Sequence, residues 1–222
     1  MAITIYIGCI ILGYLLGSIP NGYLIGKLIY HKDVRKEGSG NIGSTNVGRV
    51  CGKKAGFLCL ILDACKVALP FWLMVLLLHL TDLKTYDPNL IAPYFVMLAA
   101  CIGHCFPVFL HFKGGKAVAT FFGCLLCTNW ILSLLFIFIF LLIAFIKHYV
   151  SLASIIGALS IAVLSWLLLI PGWGHLGMYP PLTAHFCYPL IFLVNSLLLL
   201  FRHRGNIARI KNGTENTTSK QK

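Results

Sequence analysis

The apolar runs of this chain decide its class before any single residue is considered. They fall near residues 3–25, 55–80, 90–111, 117–127, 130–146, 151–170 and 182–201. Several reach the roughly 20 residues that a helix needs to cross a hydrocarbon core. Backbone exposed to lipid must satisfy its own hydrogen bonds, so such runs are helices or a closed barrel. Leu-rich, non-alternating runs such as 131–146 select helices. Composition agrees: of 222 residues, 59% are hydrophobic and 11% charged, against the roughly 25% charged of an ordinary soluble domain. The expected architecture is all-α, a polytopic integral membrane protein of about seven transmembrane helices.

Charge placement orients the spans. The stretch 117–146 has one weak polar break, Thr128-Asn129, and reads either as one long helix or as a hairpin of two short ones. With a hairpin, segments 26–54, 112–116, 147–150 and 202–222 share one side and hold sixteen of the eighteen Lys and Arg. With one helix the asymmetry nearly vanishes. The positive-inside rule therefore predicts the hairpin, an outside N-terminus and a cytoplasmic C-terminus. The first charge is Lys27, so the first run reads as a retained span with no positively charged leader. Residues 1–212 form a single transmembrane domain in this reading, and 213–222 a polar, disordered cytoplasmic tail. The nine cysteines sit mostly inside apolar runs, as small packing residues do. Leucines fill the Cys124–Cys127 pair, and Cys101, His104, Cys105 and His111 lack a carboxylate neighbour, so no metal site is expected.

Three basic elements on the predicted inner face carry chemistry. The first is GSGNIGSTNVGR at 38–49. Its glycines let backbone N–H groups approach an anion. Ser39, Asn41, Ser44, Thr45 and Asn46 add small polar groups, and Arg49 offers a bidentate grip on phosphate. A flexible turn-rich loop seldom combines so many donors with a closing arginine, and there is no Walker A pattern here. The second is GHCFPVFLHFKGGKAVAT at 103–120, where Lys113 and Lys116 flank Gly114-Gly115 at a helix start, a place suited to phosphate. The same residues suit an ordinary turn with membrane-anchoring lysines. The third follows the last span: Arg202, His203, Arg204, Asn206 and Arg209. Basic residues here also meet anionic lipid, but His203 and Asn206 share a helical face. Within the second apolar run Asp63 and Lys66 stand three residues apart. Ionisable groups at membrane depth usually pair, although Lys66 is near enough to the run's end to snorkel.

In this order these elements resemble the acyl-phosphate-dependent glycerol-3-phosphate acyltransferases of bacterial membranes. The likeness lies in residues 38–49, in DACK at 63–66 with Pro70, in 103–120 and in HRGNIARIKNGTE at 203–215. The chain departs from the family at three positions. Val67 and Ala117 stand where it usually has glycine, and Gly205 where it has an acid. The resemblance implies acyl transfer to the 1-hydroxyl of sn-glycerol 3-phosphate in the bacterial cytoplasmic membrane, giving lysophosphatidic acid and inorganic phosphate. It implies no cofactor, no nucleic-acid partner, and an upstream enzyme that makes the acyl phosphate.

By position, Ser39, Gly40, Asn41, Thr45, Asn46 and Arg49 would form one phosphate cradle, and Gly114, Gly115 and Lys116 another. His203 and Asn206 would orient substrate, Ser151 or Ser154 would add a contact, and Asp63, Lys66 and His104 would support the site. No base dyad is visible, so a substrate phosphate oxygen is the expected proton acceptor. The competing reading is a carrier for a small organic phosphate; no inverted repeat supports it.

Overall fold

The computed structural model describes residues 2–179 and 185–217. Among these the regular structure is helical, with one isolated bridge between Asn129 and Met178. The helices are α1 (Ala2–Gly17), α2 (Asn21–Leu24, continued by a wider turn to Ile29), α3 (Ser44–Cys51), α4 (Lys53–Leu80), α5 (Ala92–Cys105), α6 (Val118–Thr128), α7 (Trp130–Lys147), α8 (Val150–Leu164), α9 (Cys187–Arg202) and α10 (Arg204–Lys211). Five helical stretches, Ile3–Ile29, Lys53–Leu80, Ala92–Leu110, Trp130–Lys147 and Val150–Leu169, are long and apolar enough to cross a membrane. Val118–Thr128 and Cys187–Arg202 are shorter apolar helices. This is a multi-pass membrane protein. The helix breaks at Asn129, whose side chain accepts from Leu132 N to start α7, so 117–146 is two helices. The chain divides into two compact units, Met1–Cys124 and Leu125–Lys222.

In the first unit α1 and α5 run side by side. Tyr6 at the start of α1 reaches Asp87, which also caps α5 by accepting from Ile91 N and Ala92 N. At the other end the Tyr14 hydroxyl donates to Phe106 O at 2.8 Å. Small residues bring the two backbones together, the usual way to hold helices where lipid is as apolar as the side chains. A β-carbon on Gly17 would stand 2.6 Å from Ala100 C, and one on Gly103 2.9 Å from Ser18 N. Gly123 of α6 meets Ala64 of α4 in the same way. The N-terminus and the 81–91 connection thus share one end of this unit, and both glycine-basic elements lie at the other.

The second unit joins α7 to α8 and α8 to α9, with the Ser196 hydroxyl donating to Ala158 O at 2.9 Å. Two connections of this unit meet each other: Asn129 Nδ2 donates to Leu176 O, and Trp130 N to Gly177 O.

Gly17→Ala forces a methyl into the Ala100 backbone, whereas nothing lies within 4 Å of a β-carbon on Gly8. Overpacking of this kind costs about 1–3 kcal/mol. Thermal unfolding in detergent should show a clearly lowered Tm for Gly17→Ala and none for Gly8→Ala.

Candidate active site

The first glycine loop is a folded object. Val34, Ile42 and Val47 join Ile25, Ala55, Cys59 and Leu110 in one buried cluster, so the loop is pinned to α4 and to the segment after α5. A close contact of glycines docks α3 on α4: a β-carbon on Gly56 would lie 2.8 Å from both Gly48 Cα and Ser44 O. Nothing in the sequence around Gly56 signals this, because its partner is on another helix.

Asn46 proves to be the staple of the loop, and its amide is turned inward. Its Oδ1 accepts from Ser39 N at 2.7 Å, while Nδ2 donates to Val34 O at 2.9 Å and Glu37 O at 3.2 Å. It is 2% exposed. Asn41 Oδ1 accepts from Gly43 N, closing a turn before α3. Ser39, Gly40 and Thr45 are exposed and Arg49 half-buried, and Thr45 and Arg49 lie one turn apart on α3, hence on one face. Upstream, Arg35 lies over the Tyr23 ring at 4.4 Å and grips Asp33 with two hydrogen bonds. Those bonds hold the Asp33 carboxyl down at about 2.

The second glycine element folds back on the end of α5. Gly115 N donates to His104 O at 2.9 Å. A β-carbon on Gly114 would stand 2.7 Å from Cys105 O, and one on Gly115 would run into the His104 ring. Both glycines are buried and Lys116 is half-buried. His111, Phe112 and Ala117 all have positive φ, at 51°, 60° and 62°. Ala117, completely buried, therefore occupies a left-handed conformation that L-residues resist. A glycine would adopt this conformation without that penalty.

Between these elements lies the Asp63–Lys66 pair, 3.0 Å apart and buried in α4. Lys66 does not snorkel. Its Nζ also donates to Ile19 O at 3.0 Å and meets His104 Nδ1 at 2.9 Å. Asp63 accepts from Asn21 Nδ2 at 3.0 Å. Val67 beside them is fully buried.

In the second unit Ser151, Asn206 and Arg209 converge on Glu215, a residue the sequence reading passed over. Glu215 Oε1 accepts from Ser151 Oγ at 2.9 Å and Asn206 Nδ2 at 2.6 Å, and Oε2 from Arg209 Nε at 2.7 Å. The tail expected to be disordered from residue 213 is thus anchored at Glu215; residues 218–222 lie outside the described ones. The available signal was an isolated carboxylate following a run of cations. Gly205 is exposed, and a β-carbon there would lie 3.6 Å from Arg209 Nη1, so an acid at this position would approach the same arginine. His203 is buried and its Nδ1 lies 2.9 Å from Leu199 O. A carbonyl only accepts, so Nδ1 carries a proton; in the uncharged ring the lone pair then falls on Nε2. The Ser154 hydroxyl is turned to its own helix, donating to Val150 O.

Two measurements check this geometry. Ala117→Gly removes the left-handed penalty and should stabilise the protein by about 1 kcal/mol, read as a raised Tm. Burial raises the pKa of Glu215, but the bonds from Asn206, Ser151 and Arg209 together outweigh it and leave it lowered from 4.5. A lowered folded-state value stabilises above the unfolded value and is lost as pH falls through the folded one. The Tm advantage of wild type over Glu215→Gln should therefore be largest near neutral pH and shrink on acidification below 4.5.

The sequence profile of the family described as glycerol-3-phosphate acyltransferase matches residues 7–213. Among curated relatives, the glycerol-3-phosphate acyltransferase of Staphylococcus haemolyticus is 43% identical over 211 residues, 93% of this chain and 94% of the relative. That of Acholeplasma laidlawii is 39% identical over 232 residues, 100% of this chain and 97% of the relative. Two crystal structures of PlsY, an integral membrane glycerol 3-phosphate acyltransferase, in its glycerol 3-phosphate and lysophosphatidic acid forms, are 33% identical to this chain. They superpose with TM-scores of 0.79 and 0.77 over 96% of this chain and 94% of theirs. The chain belongs to the glycerol-3-phosphate acyltransferase family.

Proposed function

We propose that this chain transfers an acyl group from an acyl phosphate to the 1-hydroxyl of sn-glycerol 3-phosphate, releasing lysophosphatidic acid and inorganic phosphate. The observation that carries this reading is the pairing of two glycine-rich elements on one buried cluster in the first unit, one supplying Arg49 and the other Lys116. Two anion seats suit a reaction in which donor and acceptor are both phosphorylated.

An acyl phosphate is already activated, so the protein's work is positioning and charge neutralisation. Ser39, Gly40, Asn41, Thr45 and Arg49 hold one phosphate, with Asn46 shaping their loop. Gly114, Gly115 and Lys116 hold the other. In the second unit, His203 and Asn206, the latter fixed by Glu215, take the role of orienting substrate, and Ser151 or Ser154 adds a contact. The hydroxyl oxygen bonds to the carbonyl carbon, the bond from that carbon to the phosphate oxygen breaks, and the proton passes to a substrate phosphate oxygen. Asp63, Lys66 and His104 support the site from within the membrane. The chain crosses the bacterial cytoplasmic membrane seven times, N-terminus outside and C-terminus in the cytoplasm, and an upstream enzyme supplies the acyl phosphate.

Purified protein in lipid should release phosphate from acyl phosphate only when glycerol 3-phosphate is present. Arg49→Ala should lower that rate by about 100-fold. Release that is independent of glycerol 3-phosphate, or equal in the variant, contradicts the proposal.

A further inference from the structure

The buried hydrogen bonds of Lys66 constrain the protonation of a ring that no motif assigns to catalysis. A lysine ammonium has three hydrogens and no acceptor. Here its nitrogen has three neighbours: Asp63 Oδ1 at 3.0 Å, Ile19 O at 3.0 Å and His104 Nδ1 at 2.9 Å. Lys66 is 8% exposed, Asp63 1% and His104 3%, so water does not compete for these bonds. His104 Nδ1 must accept, and the neutral imidazole then carries its hydrogen on Nε2. That edge of the ring lies on the second glycine turn, where a β-carbon at Gly115 would be 2.6 Å from Cε1 and would overlap Nε2. The main chain of the same histidine also receives Gly115 N.

We propose that Asp63, Lys66 and His104 form a tautomer-setting relay, in which a buried lysine holds His104 as the Nε2–H form and so fixes the Gly114–Gly115 turn in its phosphate-receiving shape. His104 is thus a positioning residue for the glycerol 3-phosphate reaction, and its kinetic role rests on the function proposed above. The relay is electrically neutral, one carboxylate and one ammonium around an uncharged ring, which suits its place inside a span. It acts like the outer partner that orients a metal-binding histidine by bonding its second nitrogen, where loss typically costs 10–100-fold.

The test has a spectroscopic arm and a kinetic arm. In protein labelled with 15N histidine and reconstituted in lipid, His104, assigned by comparison with His104→Asn, should give an unprotonated Nδ1 and a protonated Nε2. The charge-neutral double variant Asp63→Asn/Lys66→Met should lose that pattern. A protonated Nδ1 in the wild type overturns the relay, whatever the protein catalyses. Kinetically, His104→Asn keeps an acceptor for Lys66 but withdraws the ring from Gly115. It should raise the KM for glycerol 3-phosphate about 10-fold with kcat within about threefold. His104→Gln, which restores an N–H near the Nε2 position, should recover part of that loss. An unchanged KM in folded His104→Asn, or a fall confined to kcat, overturns the positioning role. Wild-type protein without acyl transfer would sink the functional reading while leaving the tautomer result to judge the relay.

Discussion

A carboxylate and an ammonium held 3.0 Å apart in the interior of α4 organise the first unit. Neither charge is tolerable alone at that depth, since an unpaired buried ion costs several kcal/mol. Together they draw in Ile19 from the turn after α1, Asn21 from α2, Cys59 from α4 itself and His104 from the end of α5. The pair thereby requires these segments to meet at one point. The same point sits beside the Gly115 turn and one helical turn from Cys59, which belongs to the cluster beneath the first glycine loop. A buried ion pair is a poor source of net stability; here it specifies which segments lie together.

Small residues complete that arrangement by removing distance. Gly17 against Ala100, Gly56 against Gly48 and Gly123 against Ala64 bring main chains closer than any side chain permits. In the second glycine element the backbone itself is forced, with His111, Phe112 and Ala117 at positive φ within seven residues. Strain of this kind persists only where surrounding contacts over-determine it, and it gathers at binding sites. Ala117 holds the turn's left-handed conformation at 62° although a glycine would suit it better.

Much of this was legible in the sequence because hydropathy is a local property. The apolar runs matched the helices closely, and the polar break at Thr128-Asn129 falls where 117–146 divides into two helices. Glycine-rich loops were recognisable by composition. Roles that depend on the path of the chain were not. Whether the Asn46 amide faces an anion or its own loop is set by where Val34 and Glu37 run. Glu215 meets Ser151 across 64 residues of sequence, and the Gly56 contact needs α3 to fold back. The division into two units has no compositional boundary to announce it, since it falls inside the apolar helix α6.

The central step of the proposed reaction is the breaking of the donor's carbon–oxygen bond. Acyl phosphate carrying 18O in the oxygen that bridges carbon and phosphorus should be turned over with unlabelled glycerol 3-phosphate, and both products weighed by mass spectrometry. Attack at the carbonyl carbon sends the label into inorganic phosphate and leaves the lysophosphatidic acid unlabelled. Label retained on the acyl product, or no turnover of acyl phosphate by protein that uses another acyl donor, would contradict it.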